Sequence, residues 1–400
     1  MLGNYLKILS YIISHNKARS FIHILGLSVG IATSLLIALY VKDELSFDRQ
    51  FRDYEQIYRV ADELIPSGIN SIVWPSLSNP AGELLKNFSP QIEYQGSLVR
   101  FRKVVRYNDI ISYEPVTFMN GDFFKIFDFS AYINNPDQAL FNPNTIMISE
   151  SIAEKYFGNE DREGKILTLD DNADYTVIGV FPNLPKNTHL QFNFIALADL
   201  ERDMPPIPRN NWAASGAIFT YIKLKEDTNI GMFEEELNEY LQEGAYRIWN
   251  KDGSTNFNFR IQALKDIHLK NAANFDITPS GSMTTIKTFS VVAVLILAIS
   301  YINFINLATV QAMKRAREVA VRKALGADRI QIIVQFLGGS VISSFAALIV
   351  AIGIVAICLP WVNGYLSKEL SLDLSQDLKF TTYILVATVF VGIASGLYPA

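Results

Sequence analysis

Four stretches of this 400-residue chain carry no Asp, Glu, Lys or Arg over a length that could cross a bilayer: 20–41, 288–313, 330–367 and 380–400. A membrane-spanning helix needs about 20 predominantly apolar residues, because its backbone polar groups must be satisfied within the helix. Residues 42–287 instead carry charges, aromatics and turn residues throughout. The pattern predicts an α-helical membrane protein with four transmembrane helices and a large mixed α/β extracytoplasmic domain inserted between the first and second. The expected segments are an amphipathic helix over 1–19 at the cytoplasmic face, spans over 20–41, 288–312, 330–359 and 380–400, a cytoplasmic loop over 313–329 and a short outer loop over 360–379.

Short-loop Lys and Arg stay in the cytoplasm. Lys7, Lys17 and Arg19 precede the first span without an acidic residue. Lys314, Arg315, Arg317, Arg322, Lys323 and Arg329 lie between the second and third spans against only Glu318 and Asp328, whereas Lys368 is outnumbered by Glu369, Asp373 and Asp377. All three biases predict the N-terminus inside, residues 42–287 outside and the basic loop inside. The first span exceeds a signal-peptide core and lacks a small-x-small cleavage site, so it reads as an uncleaved anchor. Before it, Leu2, Tyr5, Leu6, Leu9, Ile12 and Ile13 recur at helical spacing, as in a helix lying on the inner leaflet; packing on cytoplasmic protein is the alternative.

Small residues four apart, Gly26, Gly30 and Ser34 in the first span and Gly392 and Gly396 in the fourth, form faces that let helices approach closely in lipid. Asn303 and Asn306 are expected to hydrogen-bond between helices rather than to form a transport site. No span carries a charge near its centre, which argues against proton- or ion-coupled transport.

Between the spans, Val99 to Tyr107 and Ile110 to Val116 flank Asn108-Asp109 as a hairpin, and 166–169 and 175–181 flank the turn Asp170-Asp171-Asn172 as another. Residues 219–225 and 256–263 alternate as strands. A helix over 150–157 opens at Ser149 and stops at Gly158. A second, over 230–248, aligns Phe233, Leu237, Tyr240 and Leu241 on one face and places Glu234 to Glu236 in its first turn, where the helix dipole favours them. Residues 203–211 read as a Pro-rich loop.

Chemistry-bearing patterns are sparse. The four histidines are scattered without metal spacing, no G-x-S-x-G occurs, and the acidic turn at 170–174 lacks the Gly and closing Glu of a calcium loop. Residues 158–166 (GNEDREGKI) have one residue too many between the glycines for a phosphate loop, and Ile166 where Ser or Thr must reach magnesium. Leu337-Gly-Gly-Ser matches a fragment of an ATPase signature but opens a span. No cofactor or metal site is expected. The single cysteine, Cys358, rules out a disulfide framework, and a net charge of −5 argues against nucleic acid.

The most informative stretch is the basic loop. Arg315 to Leu325 favours a helix closed by Gly326, and Asp328 caps the next. Anchoring charge alone would explain the basic residues but not their order. Arg315, Arg317, Glu318, Ala320, Arg322, Lys323, Leu325, Gly326 and Ala327 match in place the R-x-R-E-x-A-x-R-K/R-x-L-G-A run of the MacB/FtsX family of ABC-transporter permeases. Tyr301-Ile-Asn-Phe-Ile-Asn-Leu, Ser395-Gly-Leu-Tyr-Pro-Ala, residues 147–158 and Val177-Ile-Gly-Val extend the resemblance over essentially the whole chain.

The resemblance implies a non-catalytic, mechanotransmitting permease subunit in a bacterial inner membrane, with residues 42–287 periplasmic. Arg315, Arg317, Glu318, Val319, Arg322, Lys323 and Gly326 would couple to a cytoplasmic ABC ATPase subunit, and that partner, not this chain, would bind ATP. Other implied partners are membrane lipid, a periplasmic adaptor and a second permease unit, either in a homodimer or as the second half of the same polypeptide. The uses implied are export or extraction of lipoprotein, peptide or drug. The rival is an FtsX-like, non-transporting signalling protein or cell-wall and division regulator. Because the last apolar run reaches Ala400 with no inner tail, the expectation is the N-terminal part of a longer permease.

Overall fold

Apolar helices and alternating strands segregate into two compact units, Met1–Leu45 with Met283–Ala400, and Ser46–Ser282. The computed structural model describes residues 17–66, 71–77, 79–86, 88–120, 122–127, 143–197, 218–243, 255–270, 276–314, 320–321, 323–324 and 329–397. The amphipathic helix expected over 1–19 lies outside these up to residue 16, as does the loop over 203–211. In chain order the elements are α1 (Lys17–Leu45), β1 (Ile57–Pro66), β2 (Ile72–Trp74), α2 (Asn79–Lys86), β3 (Ile92–Tyr107), β4 (Ile110–Met119), α3 (Phe123–Ile126), β5 (Thr145–Ser149), α4 (Glu150–Phe157), β6 (Ile166–Leu169), β7 (Ala173–Phe181), β8 (Phe194–Leu197), β9 (Ile218–Leu224), α5 (Ile230–Glu243), β10 (Thr255–Ala263), α6 (Leu264–Lys270), α7 (Met283–Lys314), α8 (Arg329–Leu366) and α9 (Leu378–Leu397).

In the helical unit, α1, α7, α8 and α9 each contain a segment long and apolar enough to cross a membrane: Ile24–Leu45, Met283–Val310, Ile332–Leu366 and Leu378–Leu397. Leu27, Leu35, Leu39, Phe304, Ala347, Ala351 and Val355 meet in one buried cluster. The third helix passes the expected end at 359 and runs through Pro360 to Leu366. A proline removes one backbone donor and crowds the preceding turn, but here the helix continues past it. The chain turns instead at Ser367, whose φ is 53°.

The second unit is built on a split β-α-β plan. β1, α2 and β3 make one crossover, and β9, α5 and β10 the other, in the spatial order β10-β1-β9-β3. α2 and α5 cover one face, burying Ala81, Leu85, Phe233, Leu237 and Leu241 against Val60, Ile222, Leu224 and Phe259. Tyr240, expected among them, is 45% exposed; it sits at the border of the stripe, its ring 5.2 Å from that of Phe88. No acidic residue occupies the first turn of α5. The helix begins at Ile230, which places Glu234 a turn further along, where its carboxylate accepts from Ile261 N at 2.8 Å. Asn238 accepts from Phe259 N at 2.7 Å and donates to Phe259 O at 3.0 Å. Side chains of α5 thus occupy the outer edge of β10 as a neighbouring strand would.

Between β3 and β9 is inserted a second module. β3, β4, β8, β5, β7 and β6 follow in order, and β6 pairs back onto β3 through Val105 with Leu169 and Arg106 with Thr168, closing a six-stranded barrel. Val105, Val116, Phe118, Ile146, Leu167, Tyr175, Val177 and Phe194 form its core, to which α4 adds Ile152, Tyr156 and Phe157. Both expected hairpins are present: Tyr107 pairs with Ile110, and Leu169 with Ala173. Asn108, Asp170 and Asp171 take the left-handed conformations, φ 50°, 52° and 54°, that Asn and Asp tolerate in tight turns. The Ser149 side chain caps α4 by accepting from Ile152 N at 3.4 Å. Gly158 ends the helix at φ 57°, where a Cβ would be strained.

Candidate functional site

The small-residue faces lie at close helix approaches. A Cβ on Gly30 would fall 1.9 Å from Ser300 Oγ, and one on Gly26 would lie 3.5 Å from Asn303 Nδ2. Ser34 Oγ donates to Ala293 O at 3.0 Å. Along α1 these residues descend α7 in antiparallel order. On α9, a Cβ at Gly392 would fall 2.7 Å from Val341 Cα, and one at Gly396 3.0 Å from Leu337 Cα, both on α8. Asn303 and Asn306 are both exposed on α7, and neither side chain makes a hydrogen bond among the described residues. Ser300, Asn303 and Phe304 lie toward α1.

Of the coupling residues, Arg315, Arg317, Glu318, Val319, Arg322 and Gly326 lie outside the described residues. Lys323 is exposed in a helical stretch with Ala320, Val321 and Ala324.

Two polar assemblies were not anticipated as such. The first joins the end of α1 to the loop between α8 and α9. Lys368 Nζ donates to Asp43 and, at 2.7 Å, reaches Glu44 Oε1; the side chains are 16%, 18% and 5% exposed. Burial alone would lower the Lys368 pKa, but hydrogen bonds to both carboxylates outweigh it and hold the ammonium above the usual lysine range. Removing the lysine would leave two carboxylates half-sequestered and adjacent, which costs about 3–5 kcal/mol in well-buried cases. Lys42 pairs with Asp377 nearer solvent, where such a bridge is worth about 0–1 kcal/mol. Asp377 also caps α9, accepting from Phe380 N at 3.0 Å, and the Lys42 and Phe380 hydrogen bonds together hold its carboxyl below the usual range. Asn363 closes the loop with 2.9 Å bonds to both the N–H and the carbonyl of Leu370. The sequence counted Lys368 and Asp377 only as net loop charge; the signal missed was their complementarity to Lys42-Asp43-Glu44.

The second assembly is a buried polar chain in the Ser46–Ser282 unit. Asp48, at a left-handed φ of 60°, accepts from Thr188 Oγ1 at 2.6 Å and His189 N at 3.0 Å. Its other oxygen lies 2.8 Å from His189 Nδ1. His189 Nε2 is 2.7 Å from the Tyr221 hydroxyl. With a proton on Nδ1 facing the carboxylate, Nε2 accepts from the phenol. Arg59 donates to Asp276 Oδ1 at 2.7 Å and to Gln262 Oε1 at 2.8 Å, and its positive charge acts on the Tyr221 phenol beside it. Asp48, Arg59 and Tyr221 are 0% exposed and His189 1%. Arg59, Tyr221 and Gln262 are in register across β1, β9 and β10, on the sheet face opposite α2 and α5. Burial pushes the Tyr221 phenol far up. Asp, His and Tyr in series resemble a catalytic relay, but the phenol has no open side for a substrate, so the chain is a fastening. Among the described residues no three His, Cys, Asp or Glu converge as a metal site.

The position of this fastening matters more than its chemistry. Asp48 follows the end of α1 at Leu45, and Asp276 precedes the start of α7 at Met283. Thr188 and His189 lie on the β7–β8 connection of the barrel. One buried chain therefore ties together the segment arriving from α1, the segment leaving for α7, the central sheet and the barrel.

Comparison with known proteins gives a consistent assignment. The MacB-like periplasmic core domain matches residues 20–240 and the FtsX-like permease C-terminal domain residues 290–400. The macrolide export ATP-binding/permease protein MacB of Bdellovibrio bacteriovorus is 22% identical over 96% of this chain, which spans 58% of that relative's length. YknZ of Bacillus subtilis, described as an uncharacterized ABC transporter permease, is 23% identical over 88% of this chain and 85% of its own. The crystal structure of the periplasmic region of MacB from Actinobacillus actinomycetemcomitans aligns with a TM-score of 0.35 at 14% identity, over 51% of this chain and 88% of that one.

Proposed function

Because the chain belongs to the ABC-transporter permease family that joins a MacB-like periplasmic core domain to an FtsX-like permease domain, we propose that it is a mechanotransmitting permease subunit. ATP is bound and hydrolysed by a cytoplasmic ABC ATPase, which is a separate chain, as the 85% coverage of a relative named only as a permease suggests. Lys7, Lys17 and Arg19, together with the basic residues between α7 and α8, support an N-terminus and an Arg315 to Gly326 loop on the ATPase side. This loop is the coupling surface, and residues 42–287 are periplasmic. The permease carries no cofactor of its own and works with a second permease unit and a periplasmic adaptor to export or extract a lipoprotein, peptide or drug.

The observation that carries this reading is the buried chain from Asp48 to Asp276. Displacing α1 alone would draw Asp48 from His189, and displacing α7 alone would draw Asp276 from Arg59. Stranding a buried charge in this way costs about 3–5 kcal/mol. Force arriving along either helix is therefore shared with the other and with the barrel through Thr188 and His189.

The test is the double variant Glu318→Ala, Arg322→Ala. In the helix expected over 315–325 they would be i, i+4, so its stability should fall by only about 0.2–0.5 kcal/mol and insertion should survive. Association with the ATPase, or the response of its ATP turnover to the permease, should be lost. Glu235→Ala with Glu239→Ala, two exposed residues of α5, is the matched control. Normal binding and coupling in the loop variant would reduce the loop to a topology anchor.

A further inference from the structure

Outside the barrel core, β3 and β4 carry a surface with an unmet electrostatic demand. In register across the pair, Arg100 faces Thr117, Arg102 faces Pro115, Val104 faces Tyr113 and Arg106 faces Ile111, all on the side away from Val105 and Val116. Arg106 is satisfied by Asp171, through bonds of 2.8 and 3.0 Å. Arg100 and Arg102 make no ion pair or hydrogen bond among the described residues. Arg100 is half-buried, and burial together with the charge of Arg102 loosens its proton. Arg102 finds only the Tyr113 ring, 5.6 Å from its guanidinium carbon. Beside Arg100, Thr117 is 1% exposed and its hydroxyl has no hydrogen-bond partner. Further along the same face Tyr113 is 59% exposed.

A guanidinium that has lost water without gaining a partner, a like charge two residues along the strand and a buried unsatisfied hydroxyl are separate deficits. One oxyanion relieves all three. It can take two parallel N–H bonds from Arg100, accept from Thr117 Oγ1 and neutralise Arg102. An apolar body attached to it would lie along Pro115 toward Tyr113. We propose that this face binds an amphiphilic oxyanion, a carboxylate or phosphate monoester carried on an apolar body. The site is independent of the transport reading, because it needs neither nucleotide nor the ATPase.

The experiment is calorimetric titration of the full chain, in an uncharged maltoside detergent without nucleotide, with hexanoate, hexyl phosphate, inorganic phosphate and hexanol. Saturable binding of hexanoate or hexyl phosphate is expected, the tighter of the two identifying the head group, with no binding of hexanol. Arg100→Gln and Thr117→Val should each weaken the preferred ligand by about tenfold. Arg100→Lys, which keeps the charge but loses the paired donors, should fall between Gln and the parent. The same series serves if Arg100→Gln shifts the thermal unfolding transition. Absence of saturable binding by both amphiphiles, or binding that all three variants leave unchanged, overturns the proposal. Inorganic phosphate binding as tightly as hexyl phosphate overturns the apolar half of the site.

Discussion

Replacing Tyr221 by Phe removes one oxygen from the middle of the buried chain and leaves the ring, so no cavity opens. What goes is the hydrogen bond to His189 Nε2, 2.7 Å away, and the attraction between the phenol oxygen and the Arg59 charge. A neutral hydrogen bond contributes about 1 kcal/mol and one to a charged group about 1.5–3; a buried imidazole nitrogen left unpaired falls within the same range. Part of the Arg59 loss is recovered because Asp276 and Gln262 still hold that guanidinium. The expected destabilisation is about 3 kcal/mol. Urea denaturation of residues 46–282 measures it, with Tyr54→Phe as reference; the Tyr54 hydroxyl is exposed, 3.5 Å from Glu55, and should change stability by less than about 0.5 kcal/mol. For a unit of this size the Tyr221→Phe melting point should drop by about 6–12 °C. In an Arg59→Met background the same change should cost less, since the attraction between the two residues is then already absent. A loss below about 1 kcal/mol with an unchanged denaturant slope would mean the phenol is a bystander and the fastening is not continuous.

Three further expectations follow from other sites. Gly30→Ala should destabilise the protein in detergent, because its Cβ would fall 1.9 Å from Ser300 Oγ; Ser300→Ala should recover part of the loss, and an unchanged melting point would refute the close approach. With Cys358 replaced by Ala, a cysteine at Asp171 should react with an impermeant thiol reagent from outside and one at Asp328 should not; the reverse pattern would invert the topology. Burial alone would raise the Glu63 carboxyl, but hydrogen bonds from Arg260 and Ser71 outweigh this and hold it below its ordinary value of 4.5. That contribution is present above about pH 4.5 and disappears as pH falls through the lower folded-state value, so Glu63→Gln should flatten the acid limb of the urea midpoint. An identical acid limb in parent and variant would show that Glu63 does not set it.

The spans were legible because a charge-free window is a local property that a bilayer reads without reference to the rest of the fold. The hairpins at Asn108 and Asp170 and the Ser149 cap were legible for a similar reason: their geometry is decided within a few residues. The order β10-β1-β9-β3 and the closure of β6 onto β3 were not, since nothing in Val105 or Leu169 names the other. Glu234 shows how a correct local rule can miss. A carboxylate near a helix start is favoured by the dipole, but counted from Ile230 the residue stands one turn in, and its side chain serves a strand edge. The buried chain from Asp48 to Asp276 was invisible because its members are scattered over most of the unit, and each looks like ordinary polar sequence until the sheet aligns Arg59 with Tyr221 and Gln262.

The place of β1 also has a consequence for biogenesis. This strand is made first in its unit yet lies in the interior of the sheet, between β9 and β10, whose residues end at Leu224 and Ala263. At a synthesis rate of about 5–20 residues per second, roughly ten to forty seconds separate the making of β1 from that of its last partner. Through that interval the edge that takes β10 is bare, the other edge has only β2 against Asp62 to Leu64 until β9 is made, and Val60 lacks the cover of α5 until residue 243. A strand left bare in this way is open to mispairing until β10 is made, so conditions that lengthen the interval should lower the yield of the folded unit.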